Sequence, residues 1–329
     1  MPAGQSLKDR RVVDPVLTTL ALGYEPQNKA GTVAFPVVPV KLSEGKVVRF
    51  DKSQFAEYDT LRSPGGDYKR VRRGYSADPY SLEDHGLEYP INDDENEESI
   101  EADIVDEQED AAQYLSELHS MDHERKSAQL ITDASKYPSD ASEVLVGQDR
   151  WSDPNSNIIK QFEVWGNKIR GRIGKPPNAA IIGATPFSNL RAHPQFSRII
   201  LSGDRVVTNP ERLAKELGLE IVAIGEAVSL GADDEFYDIW GNNVWLGYTD
   251  PQALKNGRRL LAPVRGGRRV SMQARKRLSF GYTYMKIGHP FLPPAYREER
   301  NDSTVYKIKA KWGLQMTALN AGYLAQDVS

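Results

Sequence analysis

The 329-residue chain contains no cysteine. Disulfides, zinc fingers, iron–sulfur clusters and cysteine nucleophiles are therefore excluded, while a reducing compartment is allowed. Long apolar runs are missing as well. Stretches such as Val12-Val13 and Ala179-Ala180-Ile181-Ile182 fall far short of the roughly 20 residues that a membrane helix needs. Met1 to Asp14 has no apolar core and does not read as a secretory signal. No Gly-x-Gly-x-x-Gly follows a strand pattern, no phosphate loop ends in Gly-Lys-Ser/Thr, and no Gly-x-Ser-x-Gly elbow occurs. What is present is an ordinary soluble composition, 39% hydrophobic and 27% charged, long enough for one large domain or two to three small ones. Its formal net charge of -4 conceals a strong segregation of sign.

The acidic pole is the run from Asp93 to about Tyr137, which holds neither glycine nor proline. Ile100, Ile104, Ala111, Leu115 and Leu118 recur at helical spacings, and Asn92 or Asp93 can cap the first turn. Pro138 stops the helix. Such a helix would be roughly 60 Å long, with a thin apolar stripe. From Asp93 to Asp110 the run contains no basic residue. Two readings stand: a helix that meets basic groups supplied from elsewhere, such as another copy of the chain, or a solvated helix face.

Before this run, residues 1–44 read as an extended arm punctuated by prolines, with Val16 to Leu22 as its one helical candidate. Val37, Val38 and Val40 must be buried on the body or on a neighbour. Residues 45–92 read as a long two-stranded excursion, with Lys46 to Phe50 going out, Ser63-Pro64-Gly65-Gly66-Asp67 turning, and Tyr68 to Tyr75 returning. Its basic, aromatic tip has little to make a core, so it should dock on something.

After the run, Ile158, Phe162, Trp165, Ile169 and Ile173 predict a helix over 157–173, closed by Gly174 and Pro176-Pro177. From 176 to 248 the pattern is α/β: a buried strand Ala179–Ile182, helices Phe187–Ala192 and Pro210–Leu217 (Asn209 as cap), and a strand Glu220–Ile224. Ile239 to Tyr248 reads as a hairpin around an Asn-rich turn. Thr304 to Ala310 alternates as a strand, and Leu314 to Leu324 carries a final apolar strand.

The search for chemistry returns little. His119 and His123 stand at metal-ligand spacing, but Ser120 occupies the place where the zinc-protease pattern needs glutamate, so a solvated helix face is the preferred reading. The acidic run is poor material for acid–base catalysis, being many like charges with no pocket around them. No acidic residue occurs from Pro251 to Arg297, and the basic stretch Lys255–Arg277 includes Arg268 and Arg269. It could contact phosphates, but it lacks aromatic interleaving, so a basic surface facing acidic neighbours is preferred.

The ordered set of Asp153-Pro154, Gly174-Lys175-Pro176-Pro177-Asn178, Ile239-Trp240-Gly241-Asn242-Asn243-Val244-Trp245-Leu246, Ser279-Phe280-Gly281-Tyr282-Thr283 and Asn320-Ala321-Gly322-Tyr323-Leu324 resembles the major capsid protein of tailed bacteriophages, with its Hong Kong 97-like fold. The resemblance implies an α+β chain divided into an N-terminal arm (1–44), an extended β-hairpin loop (45–92), a spine helix with the first part of a peripheral domain (93–175), an axial domain (176–261) and the remainder of the peripheral domain (262–329). It implies no enzyme activity, no cofactor and no metal. Copies would form hexamers and pentamers that close the icosahedral head of a virion around double-stranded DNA, contacted non-specifically, after assembly in the host cytoplasm. The short arm implies a separate scaffolding protein; a portal and a decoration protein are further implied partners, and no membrane is. The expected contacts between subunits join Lys69, Arg70, Arg72 and Arg73 of the loop to Glu97, Glu98, Glu101, Asp103 and Asp106 of the helix, with Arg268 and Arg269 as further candidates. Lys46, Lys52 and Lys69 lie on the loop, but no local feature marks a cross-linking acceptor. An encapsulin-like compartment, sharing the fold but packaging an enzyme, and a nucleic-acid-binding protein using 255–277 are the alternatives.

Overall fold

A computed structural model describes residues 29–48, 57, 59–62, 68, 70, 77–92, 107–196, 209–256 and 277–329. The expected helix Val16 to Leu22, Ile100 and Ile104 lie outside these residues. In chain order the elements are helix α1 (Gly31–Ala34), strands β1 (Val37–Val40), β2 (Glu44–Val48), β3 (Ala77–Ser81) and β4 (Glu83–Asn92), helix α2 (Glu107–Thr132), strand β5 (Ser142–Val144), helix α3 (Ile158–Ile173), strand β6 (Ala179–Gly183) and helices α4 (Ala184–Ala192) and α5 (Pro210–Glu216). Strands β7 (Ile221–Gly225), β8 (Val228–Leu230), β9 (Phe236–Asp238) and β10 (Val244–Gly247), helix α6 (Pro251–Asn256), and strands β11 (Gly281–Lys286), β12 (Tyr296–Glu298), β13 (Ser303–Met316) and β14 (Gly322–Gln326) follow. The architecture is mixed helix and sheet.

Two five-stranded sheets organise it. The first runs β1-β11-β13-β12, with β4 also paired to β13; the second runs β5-β14-β10-β6-β7. Strand β13 is the axis of the first sheet. Its period of two turns Ile308, Ala310 and Trp312 inward, while Lys307, Lys309 and Lys311 between them are more open. Across residues 303–312 it pairs antiparallel with β4, and across 312–316 with β11.

Helix α3 shows how local signals place an element on the second sheet. The Asn157 side chain accepts from the Lys160 N–H at 3.2 Å, satisfying a first-turn donor. Gly174 ends the helix at φ +72°, a left-handed conformation that glycine adopts without steric cost, and its N–H bonds the Arg170 carbonyl. Between these caps Ile158, Phe162, Trp165, Ile169 and Ile173 are all buried. They join the main core with Trp245 and Leu324, and Trp165 stacks on Tyr323 at 5.7 Å. Each such side chain contributes roughly 1.5–3 kcal/mol by burial, so packing outweighs the caps. Asn157→Ala is expected to cost about 1 kcal/mol, read as a lower midpoint of thermal unfolding; an unchanged midpoint would show that the cap is dispensable.

Several sequence expectations are corrected. The acidic helix ends at Thr132, not at Tyr137. Asp133 leaves the helix with an extended backbone, and its carboxylate accepts from the Ser135 N–H to cap a 3-10 turn over Ala134–Lys136. Strand β2 pairs with β3, at Ala77–Ser81, while the expected return over Tyr68 to Tyr75 falls, apart from Tyr68 and Arg70, outside the described residues. Residues 83–92 pair with β13 in the first sheet. Strand β10 does not fold back on residues before its own turn. It lies between β6 and β14, and the local hairpin is β8–β9. The expected strand Leu314 to Leu324 breaks after Met316, because Leu319–Ala321 turns the chain into β14 of the other sheet. Val37, Val38 and Val40 are buried on the body of the same chain, where β1 pairs in parallel with β11.

Candidate functional site

Helix α2 connects the two sheets, and its inner face is polar. Ala111, Ala112 and Leu115 are buried, but so are Ser116, His119, Ser120, His123, Glu124 and Ser127. Leu118, expected on the apolar stripe, is 38% exposed. The reading of His119 and His123 as a solvated face is overturned: they are 3% and 0% exposed. The spacing 111, 115, 119, 123 continues one face, so the signal was in the periodicity. A hydrophobicity reading ended the stripe where its residues turned polar.

Trp312 of β13 fills the centre of this face. His85 from β4 stacks on its indole at 4.0 Å and 7°, His123 meets it edge-on at 5.0 Å, and His119 does so at 6.1 Å. Lys126 lies 5.2 Å from the ring centre. Asp122 sits on the rim, 3.6 Å from His85 Nδ1 and paired with Arg125 and Lys126 at 2.8 and 3.0 Å. Burial holds the His119 imidazole down to about 4, helped by His85, and holds His123 down to about 3, helped by His119. Both are neutral at physiological pH.

Glu124, 0% exposed, makes the second half of the site. Its carboxylate accepts from the Ala30 N–H at 2.8 Å, the Gly31 N–H at 2.9 Å and the Trp240 Nε1–H at 2.7 Å. Burial pushes its pKa up, while these donors and Lys29 oppose the shift. Gly31 is required by the fit, since a Cβ there would lie 2.8 Å from Ser127 Cβ and 2.9 Å from Glu124 Oε2. Lys29 is lowered to about 8 by burial, against the pull of Glu124 and Glu117.

None of this is catalytic geometry. The histidines flank a tryptophan rather than a cavity, and the described residues hold no group of three or more His, Asp or Glu placed to bind a metal ion. Ser156 Oγ lies 3.2 Å from His193 Nε2, which invites a serine–base reading. The bonds oppose it. The Gln195 N–H donates to His193 Nδ1, so the neutral ring carries its proton on Nε2, facing the Asp153 carbonyl at 3.1 Å. That nitrogen cannot take the serine proton, and the pair anchors the α3 N-terminus instead.

Of the expected contact residues, Arg70 is described and exposed. Lys69, Arg72, Arg73, Glu97, Glu98, Glu101, Asp103, Asp106, Arg268 and Arg269 lie outside the described residues, and so do residues 257–276 of the basic stretch. Of that stretch's described members, Lys255 is exposed on α6 and Arg277 faces the buried Asp250 at 3.5 Å. Exposed apolar side chains stand at two places among the described residues. In the excursion, Leu61 and Tyr68 are 82% and 81% exposed, and the Arg62 guanidinium lies 3.9 Å from the Tyr68 ring centre. On the outer side of α2, Tyr114 and Leu118 stand open beside Asp110 and Glu117.

No protein-family model matches the chain. The major capsid protein of Burkholderia phage BcepMu is 30% identical over 324 residues, covering 98% of this chain and 99% of its own. The crystal structure of a phage-related protein from Bordetella bronchiseptica RB50 superposes with a TM-score of 0.73 at 30% identity, covering 97% and 98% of the two chains. The capsid structure of cyanophage P-SCSP1u shares the fold alone, with a TM-score of 0.53 at 10% identity over 98% of this chain and 95% of that one. No described helix is long and apolar enough to cross a membrane. Identity at this level, sustained from end to end of both chains, decides the matter: the chain belongs to the family of phage major capsid proteins.

Proposed function

We propose that the chain is the repeating subunit of a phage head, assembling with itself into hexamers and pentamers of a closed icosahedral shell around double-stranded DNA. The 30% identity to a phage major capsid protein over nearly the whole of both chains carries this reading. The polypeptide then follows the Hong Kong 97-like plan, with arm 1–44, loop 45–92, spine helix and first peripheral part 93–175, axial domain 176–261 and peripheral remainder 262–329. The shell is a component of the virion. A separate scaffolding protein, a portal and a decoration protein complete the assembly, which takes place in the host cytoplasm.

The contact between neighbours joins the excursion of one subunit to α2 of the next. Arg70, Leu61 and Tyr68 supply a basic and apolar surface, and Asp110, Glu117, Tyr114 and Leu118 an acidic and apolar one. Repeated around a ring, this is a head-to-tail interface that closes. Exposed ion pairs contribute only about 0–1 kcal/mol each, so the exposed apolar side chains supply most of the stabilisation and the charges set register. Many weak contacts let misplaced subunits dissociate.

The test is Arg70→Glu combined with Arg72→Glu, followed by sedimentation and negative-stain imaging. Rings or hollow shells are expected from the unaltered chain, and a folded monomer with unchanged circular dichroism from the double variant. Normal shells from the variant would overturn the pairing. An unaltered chain that never assembles, even when co-expressed with its scaffold, would overturn the shell reading.

A further inference from the structure

Residues 29–35 are held by consecutive residues of α2. Glu124 accepts the Ala30 and Gly31 N–H groups at 2.8 and 2.9 Å. His123 reaches the far end of α1 through an intermediary: its Nε2 lies 2.9 Å from Thr283 Oγ1, and that hydroxyl donates to the Phe35 carbonyl at 2.8 Å. A hydroxyl has one proton, and here it goes to Phe35. Thr283 therefore accepts from His123, which fixes His123 as the Nε2–H tautomer. Its Nδ1 is buried without a partner, as are Ser127 Oγ, Ser120 Oγ and His119 Nε2 on the same face. Beyond Phe35, β1 pairs with β11, and Phe35 packs on Phe280 at 5.8 Å.

We propose that residues 29–40 are a strap docked on α2 at two points, Glu124 and the His123–Thr283 relay, and that protonation of the buried imidazoles undocks it while the rest of the fold persists. The proton would go to His123 Nδ1, which is buried without a partner. On α2 itself, the Asp122 carboxylate is taken by Arg125 and Lys126, and Glu124 by the strap amides and Trp240. The other charged or titratable groups around it are His119 on α2, Lys29 on the strap and His85 on β4, while β11 contributes a hydroxyl and β13 the Trp312 ring. A second N–H at His123 would thus be a buried cation beside other proton-binding groups. Ala30, Val33, Ala34 and Phe35 of the strap line the same core as α3, but the caps of α3 and its packing on Trp245 and Leu324 involve none of these imidazoles.

The direction with pH follows. Docked, His123 and His119 bind protons only near about 3 and about 4. Undocked, each titrates near 6.5, so the open state takes up protons as pH falls below that value. Docking is complete above pH 6.5 and weakens progressively towards pH 4.

Hydrogen exchange of the full chain, followed by mass spectrometry, tests this at about pH 7 and about pH 5. After correction for intrinsic rates, amides in 29–40 should lose protection by about 25-fold for each histidine that opens, with α3 unchanged. Unchanged protection of 29–40, or an equal loss in α3, overturns the proposal. His119→Gln with His123→Gln should keep the strap protected at pH 5, and a loss like that of the unaltered chain would place the trigger on carboxylates and overturn it. Should that variant not fold, histidine-selective nitrogen NMR of the unaltered chain decides. His123 is expected as the Nε2–H tautomer until the strap opens; titration in place near 6.5 with the strap still protected is the contrary result.

Discussion

Glu124→Ala is expected to lower the free energy of unfolding by about 4 kcal/mol, among the larger effects of any single substitution in this chain. The carboxylate is wholly enclosed and takes three donors, the Ala30 and Gly31 amides and the Trp240 indole. Each orphaned donor costs roughly 1–3 kcal/mol in a site closed to water. Relief of the buried carboxylate's own desolvation offsets part of that total. Glu124→Gln should cost less, because its carbonyl oxygen still accepts, while its amide N–H₂ faces one of the donors. Denaturant unfolding monitored by tryptophan emission measures both, since one donor is itself an indole. A loss under about 1 kcal/mol for Glu124→Ala would show that the three donors find other acceptors and that the anchor is misassigned.

Trp312→Ala is expected to cost a similar amount, roughly 3–5 kcal/mol. The indole is 1% exposed and has His85 against one face, with His119 and His123 edge-on. Removing it opens a cavity lined by imidazoles as well as by Val37, Met285 and Ala310, so collapse would press polar nitrogens against apolar groups. Trp312→Phe separates ring from polar handle. Trp312 Nε1 is buried without a partner, so phenylalanine keeps a stacking surface and removes an unsatisfied donor. It should cost less than about 1.5 kcal/mol. Equal losses for both variants in thermal and denaturant unfolding would mean that indole volume, rather than stacking, holds the seam together.

The parts legible in the sequence were those whose cause is local. Asn157, the apolar positions from Ile158 to Ile173 and Gly174 lie within 18 residues, and each acts through its own turn of helix. The alternation of β13 and the buried run of β6 were legible for the same reason. The errors occurred where a partner came from far along the chain. Ile239 to Tyr248 read as a hairpin because Asn-rich turns usually close on adjacent residues, yet β10 takes β6 and β14 as its neighbours. Residues 83–92 carry no pattern that names β13, more than 200 positions away, as their partner. The polar inner face of α2 was missed because periodicity was weighed by hydrophobicity. His119, His123 and Glu124 are buried by virtue of partners on β11, β13 and the 29–35 segment.

By itself, the sequence determined what the chain is not and which family it resembles. It excluded thiol chemistry, phosphate loops and membrane helices, it segregated charge, and its ordered motifs pointed to phage capsid proteins. Those properties depend on residue identity and short spacing, which are complete in one dimension. Only the tertiary structure decided which charges are buried, which proton a histidine carries, and that residues 29–40 lie on the chain's own body. Burial and hydrogen-bond direction are properties of what surrounds a group. For Glu124 and His123 those surroundings come from residues about 90 positions before and up to 190 after them.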